Sequence, residues 1–365
     1  MLKKLSFLLA LAMILIACAF AEEQPTVTGH VIDIEKYGHA RLDTTVEEFL
    51  SAGFELGDIV TVTAGTYSGD MPFFNGYYVD SGEYMLRAYP GHENIAVCIN
   101  YGKFAETAGI GVGDEVTITL KEKAGALTLQ QVNNLVYTND RADYASDEVF
   151  ANFRPVRAGQ IAEGRLYRSA SPVNRQYSRA PYALVLAEAA GVRAVLNLAN
   201  SEEWLAARFT EEDFTGEYYK KLCEEGRVIA VEMPINYAAD DFGEGIARML
   251  ARLSELDGPY LVHCTEGKDR AGFTCMLLEA LMGASEEEIE ADYMLSYTNY
   301  YGTEPGSEQY EMIAERNIRA MLRTVAGLEK DAPLADVDLQ AAAVNFLLAH
   351  GMSDETVAAL QEKLK

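Results

Sequence analysis

The first part of the chain alternates short β-rich runs with turn signals. The strand candidates are residues 27–34, 59–63, 95–99 and 115–120, because apolar residues recur there with the period of two that a half-buried strand requires. Gly57-Asp58 and Gly113-Asp114 each introduce a strand after a tight turn. The pattern predicts a small all-β barrel or sandwich over residues 25–138. Its three histidines, His30, His39 and His92, are scattered and indicate no catalytic cluster.

The later part of the chain alternates apolar strands with helical patterns. Strands are predicted at 194–198 and 228–233 and helices at 182–190 and 242–256, and Ser285 with Glu288 has the spacing of a capping box that begins a helix. This alternation predicts an α/β domain with a mainly parallel sheet flanked by helices. We assign it to residues 152–365, after a polar, Asp-rich linker at 139–151.

The N-terminus predicts export. Residues 1–21 combine two early lysines with a short apolar run and an Ala-Phe-Ala cleavage signal before Glu22, which is the pattern of a secretory signal peptide. The segment up to Cys18 also has the form of a lipoprotein box, in which Cys18 would carry the lipid. We therefore expect an extracytoplasmic protein, either secreted after cleavage behind Ala21 or anchored at the cell surface through Cys18.

Composition narrows the classes of partner. The formal net charge is −26, and such an acidic surface repels nucleic acid, so no nucleic-acid partner is expected. The five cysteines show neither a C-x-x-C spacing nor a disulfide framework, so we predict no metal site and no cofactor. A phosphorylated substrate would need a local basic pocket, because the overall field opposes its approach.

Residues 258–273 carry the clearest chemistry. An apolar run at 260–262 leads to Cys264, and Arg270 follows after five intervening residues, where a helical pattern begins. A strand, a tight loop that needs Gly267 and a helix start together predict a concave anion site made of backbone N–H groups. Arg270 adds a planar fork that fits two phosphate oxygens. The same positive field favours the thiolate of Cys264, which is a nucleophile for phosphoryl transfer.

The string His-Cys-Thr-Glu-Gly-Lys-Asp-Arg-Ala-Gly resembles the phosphate-binding loop of the cysteine-dependent tyrosine phosphatase superfamily, and more narrowly that of its bacterial secreted branch. The resemblance covers residues 152–365 and includes Asn-Phe-Arg at 152–154, Leu-Tyr-Arg-Ser at 166–169 and Asp-Tyr-Met-Leu-Ser at 292–296. It implies a tyrosine-phosphatase-like α/β fold and a phosphoric monoester hydrolase with Cys264 as nucleophile and Arg270 as phosphate ligand. The cradle around the phosphate would consist of His263, Thr265, Glu266, Gly267, Lys268 and Ala271.

The resemblance also implies a general acid. Much of the superfamily carries it on a loop upstream of the cysteine, where this chain has Asn236 near the usual position. The secreted branch is thought to use the aspartate of the phosphate-binding loop, which favours Asp269, with Asp240 and Asp241 as alternatives.

Three loop residues carry further expectations. His263 is expected to order the loop through hydrogen bonds. Lys268 adds a positive charge that, in related enzymes, accompanies activity on phosphoinositides. Glu266 is unfavourable beside a phosphate dianion unless it points outward or pairs with a basic residue such as Arg168.

Ala271 departs from the family pattern, which has Thr or Ser at that position. In the family that hydroxyl helps the cysteine to leave when the phosphoenzyme is hydrolysed. Its absence predicts slower turnover and a longer-lived phosphoenzyme.

Three functions remain open from the sequence. The first is an exported phosphatase of phosphotyrosine proteins, with dual specificity as an extension. The second is a phosphoinositide or inositol-phosphate phosphatase with the same loop chemistry. The third is a pseudophosphatase that binds phosphorylated ligands, for which Ala271 is the support.

Residues 25–125 resemble more weakly the C-terminal β-domain of S-adenosylmethionine hydroxide adenosyltransferases. The matching segments include residues 29–39, 56–60, 100–102 and 112–116. The acidic N-terminal domain that completes the active site in that family is missing from this pattern. We therefore take only a fold from this resemblance and leave the partner of the β-domain unassigned.

Overall fold

The computed structural model describes residues 24–234, 236, 237 and 239–365, without the side chain of Asp240. The chain forms two compact units that divide between Asn134 and Leu135. The predicted signal peptide and Cys18 lie outside the described residues. In the described part, no helix is long and apolar enough to cross a membrane, and the cysteines there are free thiols: Cys98, Cys223, Cys264 and Cys275.

The first unit is a barrel. Its strands are β1 (Thr26–Ile34), β2 (Ala40–Thr45), β3 (Ile59–Ala64), β4 (Tyr67–Phe74), β5 (Tyr84–Arg87), β6 (Asn94–Ile99) and β7 (Glu115–Glu122). They close in the order β1-β2-β6-β5-β4-β3-β7, and the pair β4–β5 is parallel. In β3, Val60, Val62 and Ala64 are buried, whereas the threonines between them are not, which is the alternation of a closed barrel with a filled interior. The prediction of a small β-domain is confirmed, in its barrel form.

Short helices cover parts of the barrel: α1 (Val46–Ser51), α2 (Phe104–Ala108) and α3 (Leu127–Val132). The barrel also gathers polar residues that the sequence scatters. The buried Arg87 guanidinium pairs with Glu35 at 2.8 Å, and its Nη1 lies 3.4 Å from Nδ1 of His39. Strand pairing therefore brings Arg87 to residues that are about 50 positions away in the chain.

The second unit is built on a five-stranded sheet. Its strands are β8 (Arg154–Pro155), β9 (Leu166–Ser169), β10 (Ala194–Asn197), β11 (Val228–Ala230) and β12 (Tyr260–His263). The order is β11-β10-β12-β9-β8. Four strands are parallel and the edge strand β8 is antiparallel. Strand β12 is fully buried and is the central strand, between β10 and β9. Its carboxyl end therefore lies in the middle of the edge at which the parallel strands end.

Helices surround this sheet. They are α4 (Asp147–Phe150), α5 (Ala180–Ala189), α6 (Glu202–Arg208), α7 (Glu217–Glu224), α8 (Asp240–Ser254), α9 (Asp269–Leu281), α10 (Glu286–Tyr301), α11 (Glu308–Ala314), α12 (Ala320–Ala326), α13 (Leu339–Ala349) and α14 (Asp354–Leu364), with a 3₁₀ turn at Arg141–Asp143 and a π turn at Glu315–Arg319. The predicted capping box is confirmed, since Ser285 accepts from the Glu288 amide and Glu288 accepts from the Ser285 amide. Helix α9 begins directly after the cysteine loop and is buried from Ala271 onward.

The segment predicted as a linker, 139–151, is structured and belongs to the second unit. Arg179 donates to the Asn139 side chain at 2.8 Å and to the Tyr144 hydroxyl at 2.9 Å, and Phe150 is fully buried. Asp140 caps a turn by accepting from the amide of Ala142, and Asp147 pairs with Arg141 at 2.6 Å. These local contacts order two of its aspartates.

Candidate active site

Cys264 follows the last residue of β12, and helix α9 begins five residues later at Asp269. The cysteine is buried, with 3% of its surface exposed. Gly267 has a φ of +71°, and a Cβ there would lie 2.2 Å from the carbonyl oxygen of Ser169. Only glycine fits both conditions, so the loop can turn tightly against strand β9.

The carbonyl groups of the loop are turned outward and have partners. Asn152 Nδ2 donates to the carbonyls of Glu266 at 3.3 Å and Gly267 at 3.2 Å. Arg168 Nη2 donates to those of Gly267 at 2.9 Å and Lys268 at 3.0 Å. The Tyr300 hydroxyl also donates to the Glu266 carbonyl.

The amides of the same loop have no such partners. Within the described ranges, the N–H groups of residues 265–268 donate to no protein acceptor. Together with the N-terminus of α9, which is 13 residues long, these amides supply free N–H donors directly after the cysteine in the chain. Such a set of donors can bind a tetrahedral oxyanion.

A buried cluster of charged side chains contacts this loop, because its member Arg168 donates to the carbonyls of Gly267 and Lys268. Asp292 accepts from Arg154 Nε at 2.7 Å and from Arg168 Nη1 at 2.5 Å. Burial alone would raise the pKa of Asp292, but the two guanidinium groups outweigh it and lower the pKa to about 2. Burial and the neighbouring Asp292 charge raise the pKa of Glu279 well above its usual range. This shift favours the protonated form of Glu279, so the Asp292 carboxylate is the main negative charge that faces the two guanidinium groups.

The sequence contained these supporting residues but not their role. Asn152, Arg154, Arg168 and Asp292 all fall in the segments quoted for the family resemblance, outside the loop itself. Asp292 is 138 positions from Arg154 and 124 from Arg168. Their presence in those segments was the available signal, and only packing shows that they contact one another.

Arg270 is held at the opposite side of the loop. Its Nη1 donates to the Leu198 carbonyl at 2.9 Å and the Met233 carbonyl at 3.2 Å. Its Nη2 donates to Thr265 Oγ1 at 3.1 Å. The residues just beyond β10 and β11 thus orient the guanidinium before any ligand arrives.

His263 is fully buried. Its Nε2 lies 2.9 Å from the Tyr219 hydroxyl and its Nδ1 lies 3.4 Å from the Cys264 carbonyl. Burial lowers the pKa of His263 to about 3, and Arg270 contributes in the same direction. The imidazole is therefore neutral, so it can order the loop but adds no charge to it.

Asp269 is the first residue of α9 and is half-buried. Burial raises the pKa of Asp269; the Lys268 ammonium opposes this shift and the Glu266 carboxylate adds to it. A carboxyl group with a raised pKa holds its proton closer to neutral pH, as a general acid needs. Of the alternatives, Asp241 is exposed on α8, and the side chain of Asp240 lies outside the described residues.

Lys268 and Glu266 pair with each other, at 3.6 Å. Glu266 thus pairs with a basic residue, as expected, but with Lys268 and not with Arg168, because Asp292 holds the Arg168 guanidinium. The Tyr137 hydroxyl also donates to the Glu266 carboxylate. Burial alone would lower the pKa of Lys268, but the carboxylates of Asp269 and Glu266 outweigh it and raise the pKa.

Tyrosine rings border this side of the loop. Lys268 Nζ lies 5.1 Å from the ring centroids of both Tyr297 and Tyr301 and donates to the Tyr301 hydroxyl at 2.9 Å. The ring of Tyr137 stacks on that of Tyr300 at 5.0 Å. Tyr137, Tyr300 and Tyr301 also line an open cavity of about 610 Å³ beside the loop.

Ala271 is fully buried at the start of α9. Its methyl group offers no hydroxyl at the position where the family pattern has one. The nearest helix hydroxyl in sequence, that of Thr274, donates to the Arg270 carbonyl at 3.0 Å. In the described ranges, no group of three His, Cys, Asp or Glu side chains is arranged to hold a metal ion.

Comparisons with known proteins agree with this arrangement. The profile of the tyrosine phosphatase family matches residues 150–365. No curated protein sequence matches the chain. Among solved structures, an uncharacterized conserved protein from Thermotoga maritima is 21% identical over 26% of this chain and 36% of its own, with a TM-score of 0.24. The present chain thus spans about a third of that protein.

Two further solved structures are similar over about half of this chain, and the description of the first names a phosphatase. The core catalytic domain of the PP-IP phosphatase SIW14 from S. cerevisiae is 18% identical over 48% of this chain and 91% of its own, with a TM-score of 0.24. TpbA from P. aeruginosa is 18% identical over 52% of this chain and 98% of its own, with a TM-score of 0.28. The resemblance of residues 25–125 to adenosyltransferases stays a prediction. The family profile covers more than half of the chain, including the whole cysteine loop, and the chain therefore belongs to the tyrosine phosphatase family of phosphoric monoester hydrolases.

Proposed function

We propose that the protein is an exported phosphatase that hydrolyses phosphotyrosine in proteins through a cysteinyl-phosphate. The observation that carries this proposal is the loop with outward carbonyls and unpaired inward amides around Cys264. This loop can bind a phosphoryl dianion above a thiolate, with Arg270 across two of its oxygens. The donors are fixed in advance by Asn152 and Arg168, so little reorganisation is needed as charge develops on the phosphoryl oxygens.

The first chemical step moves the phosphoryl group to sulfur. Sγ of Cys264 attacks phosphorus, and the bond between phosphorus and the phenolic oxygen breaks. Asp269 gives its proton to that oxygen, so the tyrosine leaves as a neutral phenol. Arg270 stabilises the equatorial oxygens in the transition state.

The second step returns the enzyme to its starting form. Water attacks phosphorus, the Asp269 carboxylate takes one proton from it, and the sulfur–phosphorus bond breaks. Inorganic phosphate and the thiolate are released. Because Ala271 offers no hydroxyl to the departing sulfur, this step is expected to limit turnover.

Two features support an aromatic substrate. The rings of Tyr137, Tyr297, Tyr300 and Tyr301 border the loop, and aromatic surfaces pack well against a phenyl ring. The Lys268 ammonium is paired with Glu266, which leaves less free positive charge for a second phosphate group.

A phosphoinositide or inositol-phosphate phosphatase is the second candidate, and Lys268 inside the loop is the observation that favours it. A pseudophosphatase is the third, favoured by Ala271. The deciding experiment measures phosphate release by the mature protein, with Cys264→Ser as control. The substrates are a phosphotyrosine peptide, a phosphoserine peptide, a soluble phosphoinositide and inositol hexakisphosphate.

Cysteine-dependent release from the phosphotyrosine peptide, with the highest kcat/KM of the four, is the expected result. A higher kcat/KM on the inositol compounds would make the second candidate the function. Tight phosphate binding without release from any of the four would establish the third.

Export is a separate part of the proposal and rests on residues 1–21. Fractionation of producing cells should find the protein outside the cytoplasm. Mass spectrometry of its N-terminal peptide should show Glu22 as the first residue, whereas a lipid-modified Cys18 would indicate an anchored form. A full-length protein that stays in the cytoplasm would contradict export in either form.

A further inference from the structure

The hydroxyl of Tyr237 is buried and has no hydrogen-bond partner in the described part of the chain. Its ring is held firmly. It stacks on the ring of Phe273, with centroids 5.1 Å apart and planes 5° from parallel, and its neighbour Phe242 meets it edge-on at 5.2 Å. The hydroxyl therefore cannot turn to solvent without losing this packing, although leaving a buried hydroxyl unpaired is unfavourable.

The groups that act electrostatically on this hydroxyl are the ones proposed to carry out the reaction. The charges that act on it include Asp269, Cys264 and Arg270, which are the proposed acid, nucleophile and phosphate ligand. Burial is the largest cause that raises the pKa of Tyr237, the first two groups add to it, and Arg270 opposes it. The phenol thus stays protonated and is available as a hydrogen-bond donor.

The segment that carries Tyr237 is tied to the site. It runs from β11 towards α8, and its Met233 carbonyl accepts a hydrogen bond from Arg270. In the sequence, the acidic residues Asp240 and Asp241 near this segment indicate chemistry, whereas its tyrosine shows no comparable signal. The ring of Tyr237 stacks on Phe273 of α9, three residues beyond Arg270. Its unsatisfied hydroxyl needs an acceptor, and a phosphoryl oxygen is the acceptor that the proposed reaction would bring.

We propose that the hydroxyl of Tyr237 donates a hydrogen bond to the phosphoryl group bound above Cys264. This assignment rests on the proposed function, because it assumes that the loop binds phosphate. It makes Tyr237 a substrate-contacting residue whose unfavourable state in the free protein is relieved when the ligand binds.

The test compares two quantities, since loss of the Tyr237 hydroxyl should weaken phosphate binding without lowering the melting temperature of the ligand-free protein. In the mature protein carrying Cys264→Ser, which binds without turnover, binding of inorganic phosphate and of a phosphotyrosine peptide is measured by calorimetry, with and without Tyr237→Phe. The phenylalanine keeps the ring packing and removes only the hydroxyl. We expect binding of both ligands to weaken about 10- to 100-fold, the range for one hydrogen bond to a charged group. We also expect the ligand-free variant to melt at the same or a higher temperature, because the unpaired group is gone.

Tyr260→Phe is the matched control. Tyr260 is also a buried tyrosine of the second unit, but its hydroxyl has a partner, the Leu256 carbonyl at 2.8 Å. This variant should melt at a lower temperature and bind phosphate as the parent does.

Three results would overturn the assignment. Unchanged phosphate binding in Tyr237→Phe would show that the hydroxyl does not contact the ligand. A fall in melting temperature like that of Tyr260→Phe would show a structural role. A Cys264→Ser parent that binds neither ligand would refute the proposed function itself, and the assignment with it.

Discussion

Asp292 is expected to determine whether the phosphate-binding loop keeps its shape, and Asp292→Asn tests this directly. The substitution is nearly isosteric and removes one buried negative charge between Arg154 and Arg168. The pKa of Asp292 falls from its usual 3.8 to about 2. This shift corresponds to about 2 kcal/mol of stabilisation of the charged form, at about 1.36 kcal/mol per pKa unit.

Breaking a buried ion pair on one side costs about 3–5 kcal/mol, so a loss of about 3 kcal/mol is expected. The measurement is urea-induced unfolding followed by circular dichroism at pH 7, combined with phosphate binding. The variant should lose about 3 kcal/mol and most of its phosphate affinity, because Arg168 would no longer hold the carbonyls of Gly267 and Lys268. Asp147→Asn is the control: its partner Arg141 lies at 2.6 Å, but the pair is largely exposed and should matter little.

The pH dependence gives an independent check. A carboxyl group with a lowered folded-state pKa stabilises the protein above its unfolded-state pKa and loses that contribution as the pH falls. The wild-type protein should therefore lose this contribution between about pH 4 and pH 2, and its stability should approach that of Asp292→Asn near pH 2. A loss below about 1 kcal/mol at pH 7, or a difference that stays constant down to pH 2, would refute the reasoning.

Ionisation of Glu279 can reduce the loss of stability that Asp292→Asn causes. Its raised pKa depends partly on the Asp292 charge, so Glu279 can ionise once that charge is gone and partly replace it. The double variant Asp292→Asn/Glu279→Gln removes this compensation. It should be less stable than Asp292→Asn alone, and equal stability would exclude such compensation.

The remaining predictions concern catalysis and specificity. Asp269→Asn should lower kcat by about 10²–10⁴ for a substrate with a poor leaving group and far less for p-nitrophenyl phosphate; if Asp241→Asn has that effect and Asp269→Asn does not, the acid is Asp241. Ala271→Ser should speed breakdown of the phosphoenzyme, seen in rapid-quench kinetics as a smaller burst; a burst that stays the same would show that the missing hydroxyl does not limit turnover. Glu266→Gln should free the charge of Lys268 and raise kcat/KM for a soluble phosphoinositide relative to phosphotyrosine peptide about five- to tenfold, as about 1 kcal/mol from one unpaired charge implies; an unchanged ratio would show that the pairing does not control specificity.

The sequence by itself determined what depends on neighbours along the chain. The alternation in residues 59–63 predicted a strand of a barrel or sandwich, and Ser285 with Glu288 predicted a helix start, because periodicity and capping act over a few residues. Gly267 was predicted to allow a tight loop, and its positive φ agrees. The order of Cys264, Gly267 and Arg270 between a strand and a helix was enough to predict an anion site, since all of its backbone donors come from one short segment.

The tertiary structure decided which distant groups share a buried volume. It paired Asp292 with Arg154 and Arg168, and it paired Glu266 with Lys268. Among the described residues, it left the Tyr237 hydroxyl without a hydrogen-bond partner. It also drew the predicted linker into the second unit. The physical reason is that the energy of a buried charge or hydroxyl depends on its solvation and on the exact position of its partners. Those positions follow from the packing of the whole sheet and its helices, and no local pattern in the sequence contains them.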